Sequence, residues 1–273
     1  MNLLEKKMVD TLKDLKGNHH VIGIKAEFEA EGTRLEEALR LKEVVTKAGL
    51  DLTIKIGGCE AIKDMYDART IGVAAIVAPM IESPYAVKKY LQAAKMAFPE
   101  EERKEMKFLI NIETKYGFQY LEEILNADFS KELTGIVMGR TDMTGSLGMS
   151  KDDINHEVIF DYANAIAEKT LKYNKELVIG GGVSAMSLPF FKRLPQGALN
   201  RFETRKVIFD AQAALKDPNA DKGILKAVGF ELMWIKNKQN FYSAISNEDI
   251  KRIEVLESRY KDSIREAGGY IEV

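Results

Sequence analysis

Apolar runs of five to eight residues recur along this chain between stretches of helical periodicity, and no other feature constrains the fold as much. The runs are Val21 to Phe28, Leu52 to Ile56, Ala74 to Met80, Lys107 to Glu113, Thr134 to Gly139, Glu176 to Gly181 and Phe202 to Phe209. Helices are expected between them, over 33–48, 60–69, 84–97, 118–126 and 156–173. Thr33 and Glu36 are spaced as a capping box, Gly49 supplies a stop, and Pro84 suits a first helical turn. Ahead of the first run, Leu4, Met8, Val9, Leu12 and Leu15 mark one amphipathic helix over 3–16, stopped by Gly17.

Strand and helix in alternation predict a parallel sheet covered by helices. Ile76-Val77-Ala78 and Ile136-Val137-Met138 are the unbroken apolar stretches that a sheet buried on both faces requires. About 250 residues of such units suit a closed (β/α)8 barrel. An open dinucleotide-binding sheet would carry a G-x-G-x-x-G turn after its first strand, where this chain has Glu27-Phe28-Glu29-Ala30-Glu31-Gly32. The expected fold is therefore a TIM (β/α)8-type barrel. Seven strands are visible, so the first or the eighth must be atypical or missing. Residues 1–210 are expected to form the barrel with its N-terminal helix. Residues 211–273 then form a helical extension of the same domain, in two helices, Asp221 to Tyr242 and Asn247 to Ile264, the second opened by Ser246 with Asp249. The apolar face of the first, with Leu225, Val228, Leu232, Met233 and Trp234, is expected either on its own barrel or on another subunit of a homo-oligomer.

Composition narrows the partners. Forty Lys plus Arg against 42 Asp plus Glu leave a net charge of -2, which gives no general attraction to nucleic acid or anionic lipid. The longest uncharged run, Leu177 to Phe191, contains three glycines and a proline and is too short to span a bilayer. The N-terminus lacks the apolar segment of a signal peptide, so a cytoplasmic location is expected. Cys59 is the single cysteine, which excludes a disulfide framework or a thiolate zinc site. A metal would have to be held by oxygen or by the three histidines. His19 and His20 precede a strand, at the end away from any catalytic mouth, and His156 begins a helix.

Parallel barrels carry their chemistry at the C-terminal ends of the strands. Alternation puts Leu109, Asn111 and Glu113 on one face, ending in a carboxylate. On the next strand Thr134, Ile136, Met138 and Arg140 share a face, and the turn Gly139-Arg140-Thr141-Asp142 ends in a second carboxylate. Two such oxygens on neighbouring strands can hold one Mg2+ or Mn2+ with positions left for water and substrate. They would serve equally well as acidic caps of the following helices.

Ile112-Glu113-Thr114-Lys115-Tyr116-Gly117 resembles the I-E-T-x-x-G motif of the HpcH/HpaI aldolase and citrate lyase beta-subunit family. Gly139 to Gly148 resembles its G-x-x-D-L-x-x-S-L-G motif, and Ile76 to Met80 its apolar strand ending in proline. The resemblance runs from about residue 20 to 210. It implies a barrel lyase or aldolase that uses Mg2+ or Mn2+ to stabilise the enolate of an oxoacid or acyl-thioester, with Glu113 and Asp142 as the metal carboxylates. Backbone amides of Gly139, Arg140 and Thr141 would face the substrate's carboxylate, since consecutive amides in a turn form an anion-binding concavity. Where the family usually has an arginine, this chain has Lys55, which keeps the charge but loses the forked geometry and is a candidate electrostatic stabiliser. Of a D-L-E-D pattern only Glu27 remains, either to orient substrate or water or to pair with Lys25. Phe202 to Ile208 faintly resembles G-F-x-G-K-x-x-I with Arg205 in place of lysine. Arg201, Glu203 and Arg205 alternate and would line the mouth or form paired charges at a subunit contact.

Two other readings compete. Ile179-Gly180-Gly181-Gly182-Val183-Ser184 resembles the phosphate loop of phosphosugar isomerase barrels, although glycine triplets are also ordinary tight turns. A barrel that binds a ligand or assembles with partners, without catalysis, is the third reading.

Overall fold

A computed structural model describes residues 1–269. Contacts divide these residues into two compact units, residues 1–231 and Leu232 onward.

The first unit opens with α1 (Leu3–Asn18), capped by the Asn2 side chain on the Glu5 amide. Alternation then follows: β1 (Val21–Glu27), α2 (Leu35–Lys47), β2 (Asp51–Lys55), α3 (Ile62–Ile71), β3 (Ala75–Ala78), α4 (Pro84–Ala97), the short α5 (Glu100–Glu105) and β4 (Lys107–Asn111). It continues through α6 (Lys115–Gln119), α7 (Leu121–Asn126), β5 (Gly135–Gly139), α8 (Arg140–Ser146), α9 (Glu157–Lys172), β6 (Glu176–Gly180), α10 (Leu188–Lys192), β7 (Leu199–Glu203), β8 (Val207–Asp210) and α11 (Ala211–Ala214). Among the described residues, eight strands close into a barrel in chain order. The α2 cap lies one residue later than the Thr33–Glu36 spacing suggests: Glu37 accepts from the Arg34 amide, while the Thr33 hydroxyl turns to Glu31.

The eighth strand is where sequence and structure part. The run Phe202 to Phe209 is a hairpin, because the chain reverses at Arg205-Lys206 and β8 lies antiparallel to both β7 and β1. No glycine, proline or asparagine marks this reversal. It is held by other means: Thr204 and Val207 exchange hydrogen bonds, the Lys25 amide donates to the Lys206 carbonyl, and the Lys206 ammonium pairs with Glu31. A short antiparallel strand thus closes a barrel whose other seven strands run parallel.

The barrel interior is layered. At the N-terminal ends Glu176 bridges Lys107 at 2.6 Å and Arg201 at 2.7 Å. Above them Ala75, Val77, Leu109, Val137 and Val178 form an apolar belt. Charged side chains fill the C-terminal mouth. Arg201 therefore belongs to the floor, paired with Glu176, and does not share the mouth with Glu203 and Arg205 as one of the two readings of their alternation had it.

The two expected C-terminal helices are one helix, α12 (Ala220–Glu266), which runs through Ser246 and Asp249 without a cap. In the first unit its opening turns bury Ile224, Ala227 and Phe230 and leave Leu225 and Val228 exposed, so there the buried stripe lies one residue away from the expected one; of the expected face Trp234 alone is buried. In the second unit Leu232, Phe241, Ile245, Ile253, Leu256 and Tyr260 are exposed. None of the described helices is long and apolar enough to cross a membrane.

Candidate active site

A cavity of about 650 Å³ opens at the C-terminal ends of the strands, bordered among others by Glu27, Lys55, Glu113, Thr141, Asp142 and Arg205. Glu113 stands two residues beyond β4, where the Ile112 amide still donates to the Val137 carbonyl and keeps the chain on the ladder. It points inward by the same parity as Leu109 and Asn111, and it is 1% exposed. Its Oε1 accepts from the Met80 amide at 3.0 Å and its Oε2 from Asn111 Nδ2 at 2.6 Å. Lys55 Nζ lies 3.5 Å from the same Oε2. Burial pushes the Glu113 carboxyl above its ordinary range. The Lys55 ammonium, the Asn111 amide and the Met80 amide pull it back without cancelling the shift, and the Asp142 charge adds to it.

Asp142 sits in the first turn of α8, exposed and on the cavity wall, so it acts as an acidic first-turn residue and faces the cavity at once. Gly139 and Thr141 border the cavity as well. The Arg140 side chain does not. The face Thr134, Ile136, Met138, Arg140 is the outer one, and the residue is buried at 0% exposure with its guanidinium beside Phe190 and Phe191, 5.1 Å from each ring centre. It donates to the carbonyls of Gly180 and Gly181, to Asn155 Oδ1 and to Ser187 Oγ. Burial brings its pKa down to about 10. Its side chain is thus a brace behind the mouth, and any contact of this residue with substrate is left to its backbone.

Lys25 and Glu27 project inward from β1. Lys25 Nζ pairs with Glu203 and lies 3.1 Å from Glu27 Oε1. Burial works against the Lys25 charge, but the two carboxylates outweigh it and raise its pKa. For Glu27, burial pushes the carboxyl up and Lys25, Lys55 and Arg205 more than reverse it, leaving it below the ordinary range. Of the two roles open to Glu27, pairing with Lys25 is the one the geometry displays. Lys55 is likewise held protonated: burial opposes its charge, and Glu113, Glu29 and Glu27 restore it. Arg205 lies exposed on the rim, in the turn between β7 and β8.

Sequence reasoning missed Glu29, whose Oε2 is 2.8 Å from Lys55 Nζ. It lies in the loop after β1, where no periodicity points to a face. The glycine triplet has steric work that accounts for it. A β-carbon on Gly181 would meet the amide nitrogens of Arg140 and Thr141 at 2.7 and 2.6 Å, and one on Gly182 would meet Ile154 at 2.4 Å. No long helix follows that loop; the next elements are a three-residue 3-10 turn, Ala185–Ser187, and the five-residue α10. The histidines stay away from the mouth: His19 and His20 lie near Asp14 and Asp217, and His156 caps α9 through Val158.

Cavity-lining charges number five carboxylates against four cations among the described residues, so the bare mouth has no surplus positive charge for an anion. Among those residues no group of three or more His, Cys, Asp or Glu side chains is disposed to hold a metal ion. A site here would rest on two carboxylates and neutral oxygen. Asn111 supplies such an oxygen, its buried Oδ1 being without a hydrogen-bond partner among the described residues.

The sequence model of HpcH/HpaI aldolase/citrate lyase matches residues 33–178. No curated protein matches the chain by sequence. Similar solved structures include an HpcH/HpaI aldolase from Desulfitobacterium hafniense, with TM-score 0.60 and 12% identity over 75% of this chain and 83% of the other. An HpcH/HpaI aldolase/citrate lyase family protein from Burkholderia cenocepacia aligns with TM-score 0.59 and 12% identity over 85% and 90%. The citrate synthase SbnG aligns with TM-score 0.56 and 14% identity over 85% and 90%. At these identities the structures establish a shared fold.

Proposed function

The chain belongs to the HpcH/HpaI aldolase/citrate lyase family and is an enzyme of the carbon–carbon lyase type. From that premise we propose that its mouth makes or breaks the bond beside a carbonyl in an oxoacid or acyl-thioester, with one Mg2+ or Mn2+ held by Glu113 and Asp142.

The observation that carries this reading is the buried Glu113 carboxylate, which shares its cavity with the Asp142 charge and is pushed toward protonation by burial and by that charge. A cation relieves both pressures. The donor set fits a hard divalent ion, which is commonly bound by one or two carboxylates and completed by neutral oxygen, water and substrate; Asn111 Oδ1 is available for that part. With one carboxylate in excess around the cavity, a divalent ion would also reverse the local charge and make it receptive to an anionic acid.

When bound, such an ion supplies Lewis-acid stabilisation of the negative charge that develops on the substrate carbonyl oxygen. The protein's own residues do the rest. Lys55, kept protonated by its carboxylate neighbours, supplies fixed positive charge to the mouth and does not act as a base. Glu27 and Glu203 hold Lys25 in place, so Lys25 serves as charge and not as an amine nucleophile. The amides of Gly139, Arg140 and Thr141 and the rim guanidinium of Arg205 are assigned to the substrate's carboxylate. The homo-oligomer and the cytoplasmic address remain part of this proposal.

Crystals grown with Mn2+ and oxalate test it directly. Anomalous density for manganese is expected between Glu113 and Asp142, with oxalate on its open side. Manganese bound elsewhere, or Glu113→Gln binding it as well as the parent, would remove the proposed centre.

A further inference from the structure

Glu29 and Glu113 both pair with the Lys55 ammonium, and they do so unequally. The ammonium is at hydrogen-bond distance from Glu29 Oε2, 2.8 Å, and at looser ion-pair distance from Glu113 Oε2, 3.5 Å. The backbone explains the approach. Glu27 and Lys55 are register partners across β1 and β2, and the Phe28 amide donates to the Lys55 carbonyl at 2.8 Å. The loop that leaves β1 therefore starts pinned to the end of β2, which brings Glu29 beside the Lys55 side chain.

Lysine so near a buried carboxylate is a competitor for it. A four-carbon stem lets the ammonium swing, and an ammonium resting on Glu113 would satisfy that carboxylate and repel an incoming divalent ion. Asn111 and Met80 already hold the carboxylate through one hydrogen bond on each oxygen, so a close Lys55 would crowd the remaining lone pairs. What decides the contest is the second counter-charge, Glu29, which holds the ammonium at the shorter distance.

We propose that Glu29 is a positioning residue: it draws the Lys55 ammonium away from Glu113, leaving that carboxylate open to a divalent cation while the lysine's charge stays at the mouth. The inference rests on the assignment of Glu113 as a metal ligand. Within that assignment it gives a task to a loop carboxylate that the reaction itself does not use.

Mn2+ binding by the full chain, after removal of metal with EDTA, tests it, with free manganese counted by electron paramagnetic resonance at constant pH. Glu29→Gln is expected to weaken binding about ten- to a hundredfold, the range typical of residues that orient metal ligands without touching the metal. Lys55→Met is expected to bind at least as tightly as the parent. The double variant should match Lys55→Met, because with the ammonium gone Glu29 has nothing to hold. Parent-like binding by Glu29→Gln would overturn the proposal. So would an equal loss from Glu29→Gln in the Lys55→Met background, which would make Glu29 a ligand. Parent-like binding by Glu113→Gln would remove the metal centre and this inference with it, a result distinct from either of the others. Glu29 is partly exposed in a loop, and melting curves confirm that each variant is folded.

Discussion

The Glu113 carboxylate lies against the bare α-carbon of Gly139 on the neighbouring strand: a β-carbon there would stand 2.6 Å from Oε2 and 3.1 Å from the Glu113 β-carbon. Gly180 is the register partner of Gly139 and does the same for the strand beyond, where an added β-carbon would come within 3.1 Å of Glu203. Two adjacent strands thus end in glycine so that two carboxylates, one from each side, can lie flat across the mouth. Neither glycine is there for a turn, since Gly139 has φ -87 and an L-residue could adopt its backbone.

Gly139→Ala therefore separates the placement of Glu113 from the fold. The variant should fold with a stability loss of about 1–3 kcal/mol, the usual cost of overpacking, while Mn2+ affinity falls at least tenfold. Calorimetric melting and metal titration check the two halves. A crystal structure should find the carboxylate displaced from the cavity.

Asn111→Leu should affect the same centre by another route. The change removes the donor to Glu113 Oε2 together with an unpartnered buried oxygen, and these two effects on stability oppose each other. Stability is expected within about 1 kcal/mol of the parent, with metal affinity reduced about tenfold. Unchanged affinity would show that Asn111 neither orients Glu113 nor donates its own oxygen.

Much of this architecture was readable from residue order. The runs in β3 and β5 are apolar because both faces of those strands are covered, and the motifs around Glu113 and Asp142 fall where β4 and β5 end. The same uniformity hid the parity of β5: with Ile136, Val137 and Met138 all apolar, nothing indicated whether odd or even residues face inward, and the outward course of the Arg140 side chain could not be read. The β7–β8 hairpin was illegible because its turn carries no glycine, proline or asparagine and is tied down by Lys206 to Glu31 and to the Lys25 amide, contacts that exist only once β1 and its loop are in place. Glu29 was invisible for a related reason, as its partner is set by the tie between Phe28 and Lys55. In α12, Ser246 and Asp249 look like a cap, yet local preference for a cap is weak beside the continuity of a helix already formed.

Arg140→Lys should behave as a stability variant. A lysine cannot reproduce four hydrogen bonds in a planar fork or the guanidinium's contacts with the Phe190 and Phe191 rings, and it leaves the carbonyls of Gly180 and Gly181 without their donors. A loss of about 3–5 kcal/mol in urea unfolding is expected, as for breaking a buried charged network. If the folded fraction instead retained full stability and lost only substrate affinity, the brace would have to be reassigned as a binding residue.

Glu27→Gln should give a pH-dependent loss. In the folded protein the Glu27 carboxyl lies below its ordinary range, so its contribution to stability is present above the unfolded-state value and disappears as pH falls through the folded one. At pH 7 the variant removes one of the two carboxylates on Lys25 and leaves Glu203, for an expected cost of about 1.5–3 kcal/mol, the range for a hydrogen bond to a charged group. Below about pH 4 the unfolded parent also protonates Glu27. The difference between parent and variant should then shrink with each further drop in pH. Urea unfolding of both proteins at pH 7, 5 and 3 measures it. A difference that stayed constant across that range would mean that Glu27 contributes by packing and hydrogen bonding alone, with no part played by its charge.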